Sequence, residues 1–557
     1  LPYKQPGIDA KGAEMSQESI EGSFARPQPG AAFGAAGSGV LAGAGGLKLV
    51  AWFLLVFLLL RAMIFGIAAG LLDPDYFWHL RTGQWIVENG ALPTVDIFSY
   101  TAAGEPWVLH EWLFQVLLYL VYEAGGESLV MFMTALIGGS ALFLFLLAAD
   151  RWIRSPVASL VLTIAFASTF VTYVIPRPHI FSFLFFGVLL HVLWAARYDG
   201  KLRSLFILPP LMVLWVNLHG GYFIALAFLF GFMGLEWLRC LLAEGKPPLG
   251  YLKALTLCCV ATLLAACLNQ DGPQHLLYPL YVMGQSANSF INEWKSPNFQ
   301  KPMAQWFLAA VMAFFFLLIN RRERPDLTEL MIPLITIAAG FISLRHTPFA
   351  VMIMIAYAGQ AIGKGALEPL ARLAKPRRDA GGAAQRQISP RAEKLMAGGI
   401  VLFLVAGIAI SVFDQGYAER RQAFLTDVTD FVVENDLQGP MLNQYGLGGL
   451  LIQRLYPERK VYIDGRADLY GDERVEAYSD MVALRPGWRE TFEAGAFSYV
   501  VMSEKAALTS YLKTDPRYGL AFRDEGGKLI FLRRNPKHEA LIEAYANREK
   551  KSRSDEP

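Results

Sequence analysis

Cysteine is scarce: Cys240, Cys258, Cys259 and Cys267 are the four in 557 residues. All lie in or beside one pair of apolar segments, so neither a disulfide framework nor a Cys-based zinc site is expected. Charge is scarce too. Charged residues make up 18% of the chain, and the net charge of +2 gives no reason to expect a nucleic-acid partner. What is abundant is apolar surface: 54% of residues are hydrophobic and mean hydropathy is +0.35, with the apolar residues in long runs. That excludes an ordinary soluble protein of this size. The expected fold class is a polytopic α-helical membrane protein.

Residues 1–46, rich in Gly, Ala, Ser and Pro, hold no run able to span a bilayer and are read as a disordered leader. The chain starts at Leu1, so this end is expected to be processed or to carry added residues. No cleavable signal peptide is evident, and the segment from Leu47 is expected to stay as an anchor. Crossing a hydrocarbon core as a helix takes roughly 17–25 apolar residues. Candidate crossings are 47–71, 127–149, 157–175, 179–197, 203–218, 220–240, 251–268, 303–319, 328–344, 346–363 and 395–413. The stretch 109–124 is apolar but short, and positive charge decides its reading. If it lies in the interface and residue 46 is cytoplasmic, the cytoplasmic loops hold 2, 3, 3, 3 and 8 Lys and Arg, against five in the outer loops. The expectation is eleven crossings, with the first outer loop at 73–126 and everything after about residue 414 outside.

This topology puts six of the eight histidines on the outer side: His79, His110, His179, His219, His275 and His346. Asp73, Asp75, Glu111, Arg177, Asn217, Asp271, Glu293, Lys295 and Arg345 join them there. Ionisable groups beside a bilayer are costly unless paired or wet, so their one-sidedness points to a single functional cavity. The alternative, that helix ends are polar everywhere, leaves the bias of histidine unexplained.

Residues 414–535 change character and are expected to form an extracytoplasmic α/β domain. Helical stretches at 418–436, 447–455, 473–484 and 504–513 alternate with β-rich runs at 440–443, 459–464, 497–502, 517–523 and 527–533, which suggests a largely parallel sheet. Residues 536–557 form a charged tail. Tyr445-Gly-Leu-Gly-Gly449 lacks the full dinucleotide fingerprint and is read as a turn with close packing. Asp464 and Arg466 either bind a polar ligand, dock this domain onto the membrane part, or pair within a turn.

The most informative segment is Leu72-Asp-Pro-Asp-Tyr-Phe-Trp-His-Leu-Arg-Thr-Gly83. Pro74 ends the first span between Asp73 and Asp75. An amphipathic helix over 75–88 follows, bearing Tyr76, Phe77, Trp78 and Trp85, and is expected to lie flat at headgroup level.

An acidic pair directly after the first span, an interfacial helix in the first outer loop, many further spans and an outer C-terminal domain together resemble the GT-C superfamily of membrane glycosyltransferases. The likeness covers roughly 47–535. It is nearest to a bacterial polytopic branch carrying phrases like FWHLRTG (77–83), FSYTAAG (98–104), HEW (110–112), RPHIFS (177–182), NLHGG (217–221) and YIDGRAD (462–468). The WWDYG-type signature of oligosaccharyltransferases is missing, which argues against transfer of a whole oligosaccharide to Asn.

The resemblance implies an enzyme of the bacterial cytoplasmic (inner) membrane whose site faces the periplasm. It would move a sugar from a polyprenyl-phosphate donor to a lipid, glycan or protein acceptor, with membrane lipids around it and no nucleic acid. Asp73 or Asp75 would be the general base, and the same pair would hold a divalent metal, Mg²⁺ or Mn²⁺, if one takes part. Donor phosphate and sugar would fall to His79, Arg81, His110, Glu111, Arg177, His179, Asn217, His219, Glu293, Lys295, Arg345 and His346. Structural readings stand beside these: an Asp that only caps, an Arg177 that snorkels between Pro176 and Pro178, an Asn217 that serves packing. Two other functions fit the composition, an envelope lipid or glycan transporter or flippase and a non-catalytic envelope assembly protein. No internal repeat favours the first of these.

Overall fold

The computed structural model describes residues 73–243, 247–369 and 427–554. The expected leader and the crossings 47–71 and 395–413 lie outside these residues. Helix α1 (Pro74–Asn89) starts where the Asp73 side chain accepts the Asp75 N–H, with Pro74 in the first turn. It stops at Gly90, whose φ of 63° suits glycine. Helix α2 (Trp112–Ile153) has 42 residues, about 63 Å of rise and twice the roughly 30 Å of a hydrocarbon core. It breaks at Gly125 and at Gly126 (φ 62°, ψ −159°), a backbone that glycine alone tolerates. The break falls between the segments 109–124 and 127–149 that hydropathy separates.

Nine helices follow: α3 (Pro156–Val171), α4 (His179–Tyr198), α5 (Leu208–Leu218), α6 (Tyr222–Leu242), α7 (Leu249–Ala265), α8 (Tyr278–Met283), α9 (Pro302–Asn320), α10 (Leu327–Ile342) and α11 (Thr347–Gly363). Among the described residues, four helices (α2, α4, α6 and α9) are long and apolar enough to cross a membrane. Leu241, Leu257, Met312 and Ile319 are each 66–78% exposed, an apolar surface that hydrocarbon covers and water penalises. Helix α11 is the opposite case, buried from Thr347 through Ala361. It approaches α2 on small residues: a Cβ on Gly359 would lie 2.5 Å from the Ala149 Cα, and one on Gly363 2.5 Å from the Trp152 carbonyl oxygen. Small residues at helix crossings are how helices associate where lipid removes the hydrophobic drive between them.

One expectation for α1 is corrected. Tyr76, Phe77 and Trp78 are at most 7% exposed, so they do not sit among headgroups. They pack against α2 and the C-terminal region, which offer a drier partner than the membrane interface.

That region holds β1 (Met441–Asn443), α12 (Gly448–Leu455), α13 (Ala467–Ala483), α14 (Trp488–Ala494), β2 (Tyr499–Ser503), α15 (Ala507–Leu512), β3 (Tyr518–Arg523), β4 (Lys528–Arg533) and α16 (Glu539–Ser554). The strand order is β1-β2-β4-β3. Only β1 and β2 pair in parallel, while β2–β4 and β3–β4 are antiparallel, so the expected largely parallel sheet is not found. The run 459–464 does not join this sheet. It turns to the loop that follows α1, where Val461 bridges Ser99.

Strand alternation distributes the core. Tyr499 and Val501 of β2 and Ile530 and Leu532 of β4 pack with Trp78 of α1 and with Phe98 and Trp107 of the loop that follows it. Val500, Met502, Leu529 and Phe531 face the other way, onto α13–α15. One face of the sheet is thus covered by the loop, and the C-terminal domain and the loop share a core.

Candidate active site

The N-terminus of α1 presents Asp75, Trp78 and His79 along one face, as residues three and four apart must be. Asp75 Oδ1 accepts a hydrogen bond from Trp78 Nε1 at 3.1 Å. Asp73 Oδ1 accepts the Asp75 N–H at 3.0 Å. Both carboxylates meet Arg177, in the turn before α4. Its Nε and Nη2 donate to the two oxygens of Asp73 at 2.7 and 2.8 Å, and Nη2 lies 2.9 Å from Asp75 Oδ2. Nη1 donates to Glu293 Oε1 at 3.0 Å. Arg345 is held more loosely, 3.8 Å from Glu293 Oε2, with its guanidinium 4.6 Å from the centre of the Trp294 ring.

A second cluster surrounds Glu111. His79 Nε2 lies at 3.7 Å, His110 Nε2 at 3.5 Å and His219 Nε2 at 3.8 Å from its carboxylate. The Gly221 N–H donates to His219 Nδ1 at 3.0 Å. That nitrogen is therefore an acceptor, and the proton sits on Nε2, facing Glu111. The Gln115 amide plays the same part at His79 Nδ1, at 3.2 Å.

These surroundings set the charges. Burial lifts Asp75 from the carboxylate range to about 7, against the pull of Arg177. Burial lowers His79 and His219 to about 3, so both are neutral imidazoles. Burial lowers His110 too, but the charge and hydrogen bond of Glu111, with the charge of Asp468 and the Val108 carbonyl, together outweigh it and raise the ring to about 9. Glu111 itself is held far below the ordinary range by its histidines, although burial opposes them.

Both clusters line one cavity of about 260 Å³. Phe183, Phe223, Ile224, Val282, Met283 and Phe349 give it an apolar wall, and Gly465 to Asp468 of the C-terminal domain cover it. The cover is fastened by Arg466. Its guanidinium donates to Asp96 Oδ1 at 2.7 Å and to Asp464 Oδ1 and Oδ2 at 2.8 and 2.7 Å, with the Trp107 ring centre 4.5 Å away. Arg466 thus pairs within its turn, one of the expected roles, and ties the domain to Asp96 in the loop after α1. The Tyr278 hydroxyl donates to Asp468. Gly449 acts in close packing, since a Cβ there would collide with the Pro74 carbonyl oxygen.

Of the residues singled out from sequence, Asp75, His79, His110, Glu111, Arg177, His179, His219, Glu293, Arg345 and His346 line the cavity. Asp73 stands behind it, bound through Arg177. Three others face elsewhere, and nearer partners take two of them. Arg81 donates to Gln84 Oε1 and to the Tyr456 carbonyl at 2.6 and 3.0 Å. Asn217 accepts from Trp112 Nε1 at 2.9 Å and donates to the Leu268 carbonyl at 2.9 Å. Lys295 is exposed outside the cavity. Sequence reasoning missed Tyr278, Gly465 and Asp468. The phrase YIDGRAD was the available signal for the last two; nothing local marks Tyr278.

The residues do not fit a divalent metal. Among the described residues, no group of three or more His, Cys, Asp and Glu is arranged to hold one. The oxygens of Asp73 and Asp75 already face Arg177, Trp78 and a backbone N–H.

No family model and no curated protein sequence matches the chain. Solved structures do. The archaeal oligosaccharyltransferase AglB from Archaeoglobus fulgidus, in complex with an inhibitory peptide and a dolichol-phosphate, aligns with a TM-score of 0.49 at 13% identity, over 87% of this chain and 74% of that one. An Archaeoglobus fulgidus oligosaccharyltransferase in complex with Zn and sulfate gives 0.44 at 13%, over 83% and 69%. ArnT from Cupriavidus metallidurans bound to undecaprenyl phosphate gives 0.47 at 15%, over 89% and 99%. Scores below 0.5 at such identities do not assign an activity to this chain.

Proposed function

We propose that the protein is a membrane glycosyltransferase that moves a sugar from a polyprenyl-phosphate donor to an acceptor on the extracytoplasmic side. The observation that carries this reading is the meeting, in one half-apolar cavity, of a carboxylate poised near neutrality, Asp75, and a loosely held cation, Arg345. The resemblance of the ordered sequence phrases to GT-C enzymes supports it. So does the one-sided charge bias, which favours eleven crossings in a bacterial inner membrane with the cavity facing the periplasm.

Asp75 is the base. It takes the proton of the acceptor O–H as that oxygen bonds to the anomeric carbon. The bond from that carbon to the phosphate oxygen breaks, and the phosphate leaves with the electron pair. Arg345, the cation with the weakest carboxylate partner, receives the charge, and Arg suits phosphate through its bidentate fork. Asp73 does not take this part, because it stands behind Arg177 and does not line the cavity, whereas Asp75 does. Glu111 with His79, His110 and His219 offers an acceptor-rich and donor-rich wall for sugar hydroxyls, one helical turn from Asp75. The Phe and Met wall receives the first units of the lipid.

The test is transfer from labelled polyprenyl-phosphate sugars in membranes carrying wild type, Asp75→Asn or Asp73→Asn. The reading expects Asp75→Asn to lose about 10²–10⁴-fold in rate, the usual worth of a general base. Full activity in Asp75→Asn removes the mechanism.

A further inference from the structure

Asp73, Asp75 and Glu293 converge on one positive charge, and that charge belongs to the chain itself. Arg177 meets the three carboxylates at 2.7–3.0 Å, through Nε, Nη1 and Nη2. An acidic pair after a first span ordinarily invites a divalent cation. Mg²⁺ would need oxygens at about 2.0–2.1 Å and Ca²⁺ at about 2.3–2.6 Å. Neither can reach both Asp73 and Asp75 while the guanidinium stands between them.

We propose that Arg177 fills the place of a divalent cation between Asp73 and Asp75, so that the site works without a metal ion. Three features support the substitution. The Arg177 side chain is 16% exposed and flanked by Pro176 and Pro178, which stiffen the turn that carries it. Guanidinium keeps its charge at every accessible pH, as a metal ion does. Arg345 adds a second permanent positive charge on the far side of Glu293. Positive charge on a departing phosphate, the service a metal would render, is thus already built from side chains.

The metal-binding claim stands on this geometry alone. Its consequence for turnover rests on the transferase reading.

The experiment measures melting of the purified full-length protein with EDTA and with Mn²⁺. Wild type is expected to melt at the same temperature in both. Arg177→Gln opens the carboxylate triad and is expected to gain a Mn²⁺-dependent rise of about 3 °C, reversed by EDTA and absent from Arg177→Gln combined with Asp73→Asn. A Mn²⁺ shift in wild type that Asp73→Asn abolishes overturns the proposal, and so does a folded Arg177→Gln without a shift. If Arg177→Gln yields no folded protein, the wild-type comparison decides. No arm measures sugar transfer, so failure of the transferase reading leaves this result legible.

Discussion

Gly465 of the C-terminal domain rests against the Asp75 carboxylate of α1. A Cβ on Gly465 would collide with Asp75 Oδ1 and come within 3.2 Å of Trp78 Nε1, the donor to that oxygen. Gly465 is not among the glycines with positive φ, so close approach, not backbone freedom, calls for glycine there. The domain that covers the cavity therefore also sets the position of the group read as its base.

Gly465→Ala should push the Asp75 carboxylate aside while leaving the sheet and its core intact. The expected result is a loss of about 10²-fold in turnover, the cost of a misplacement near 1 Å. Its melting temperature should stay close to that of wild type. Because the methyl changes the surroundings of Asp75, the pH at which activity is half-maximal should move as well. Turnover measured across pH beside a melting curve checks this.

Asp75 ties activity and stability to pH in opposite directions. As a base it must be ionised, so activity should rise as pH increases through about 7. For folding the sign reverses. A carboxylate raised from 3.8 to about 7 holds its proton more tightly when folded, so its contribution to stability declines as pH climbs between those values. Asp75→Asn should remove that decline and melt at or above wild type at pH 8, while losing activity. Melting and activity profiles of both proteins across pH 5–8 check the pair of signs.

The parts of this arrangement that were legible in the sequence are those set by local chemistry. Pro74 marked the boundary before the helix read over 75–88, the gap between the apolar stretches 109–124 and 127–149 coincides with the break in α2, and the β-rich run 497–502 overlaps β2. Counting Lys and Arg grouped six histidines on one side; His79, His110, His179, His219 and His346 line the cavity and His275 does not. What stayed hidden depends on partners distant in the chain. Strand direction is set by which runs pair, so the antiparallel β2–β4 and β4–β3 contacts were invisible, and the β-like run 459–464 was drawn to Ser99 instead. The roles of Gly465 and Tyr278 exist only once the C-terminal domain is docked.

Arg466→Met should loosen that docking. The substitution leaves Asp96 and Asp464 without their guanidinium in a buried setting, a loss of about 3–5 kcal/mol. Limited proteolysis should then release a C-terminal fragment that wild type protects. Arg466→Lys should rescue little, because an ammonium cannot bridge both carboxylates in the same fork.

Arg345→Ala should weaken the donor more than the acceptor. The expected effect is a rise of about 10–100-fold in KM for a polyprenyl-phosphate sugar, corresponding to one charge-assisted contact of about 1.5–3 kcal/mol. The KM for the acceptor should stay near the wild-type value. Steady-state kinetics with each substrate varied in turn check the difference.

The most direct measurement is an experimental structure of the full-length protein with a bound polyprenyl phosphate. The account predicts the phosphate within about 3 Å of Arg345, in the cavity that Asp75 lines, with the lipid leaving along Phe223, Ile224 and Phe349. A phosphate bound on another face, with Asp75 and Arg345 untouched, contradicts it.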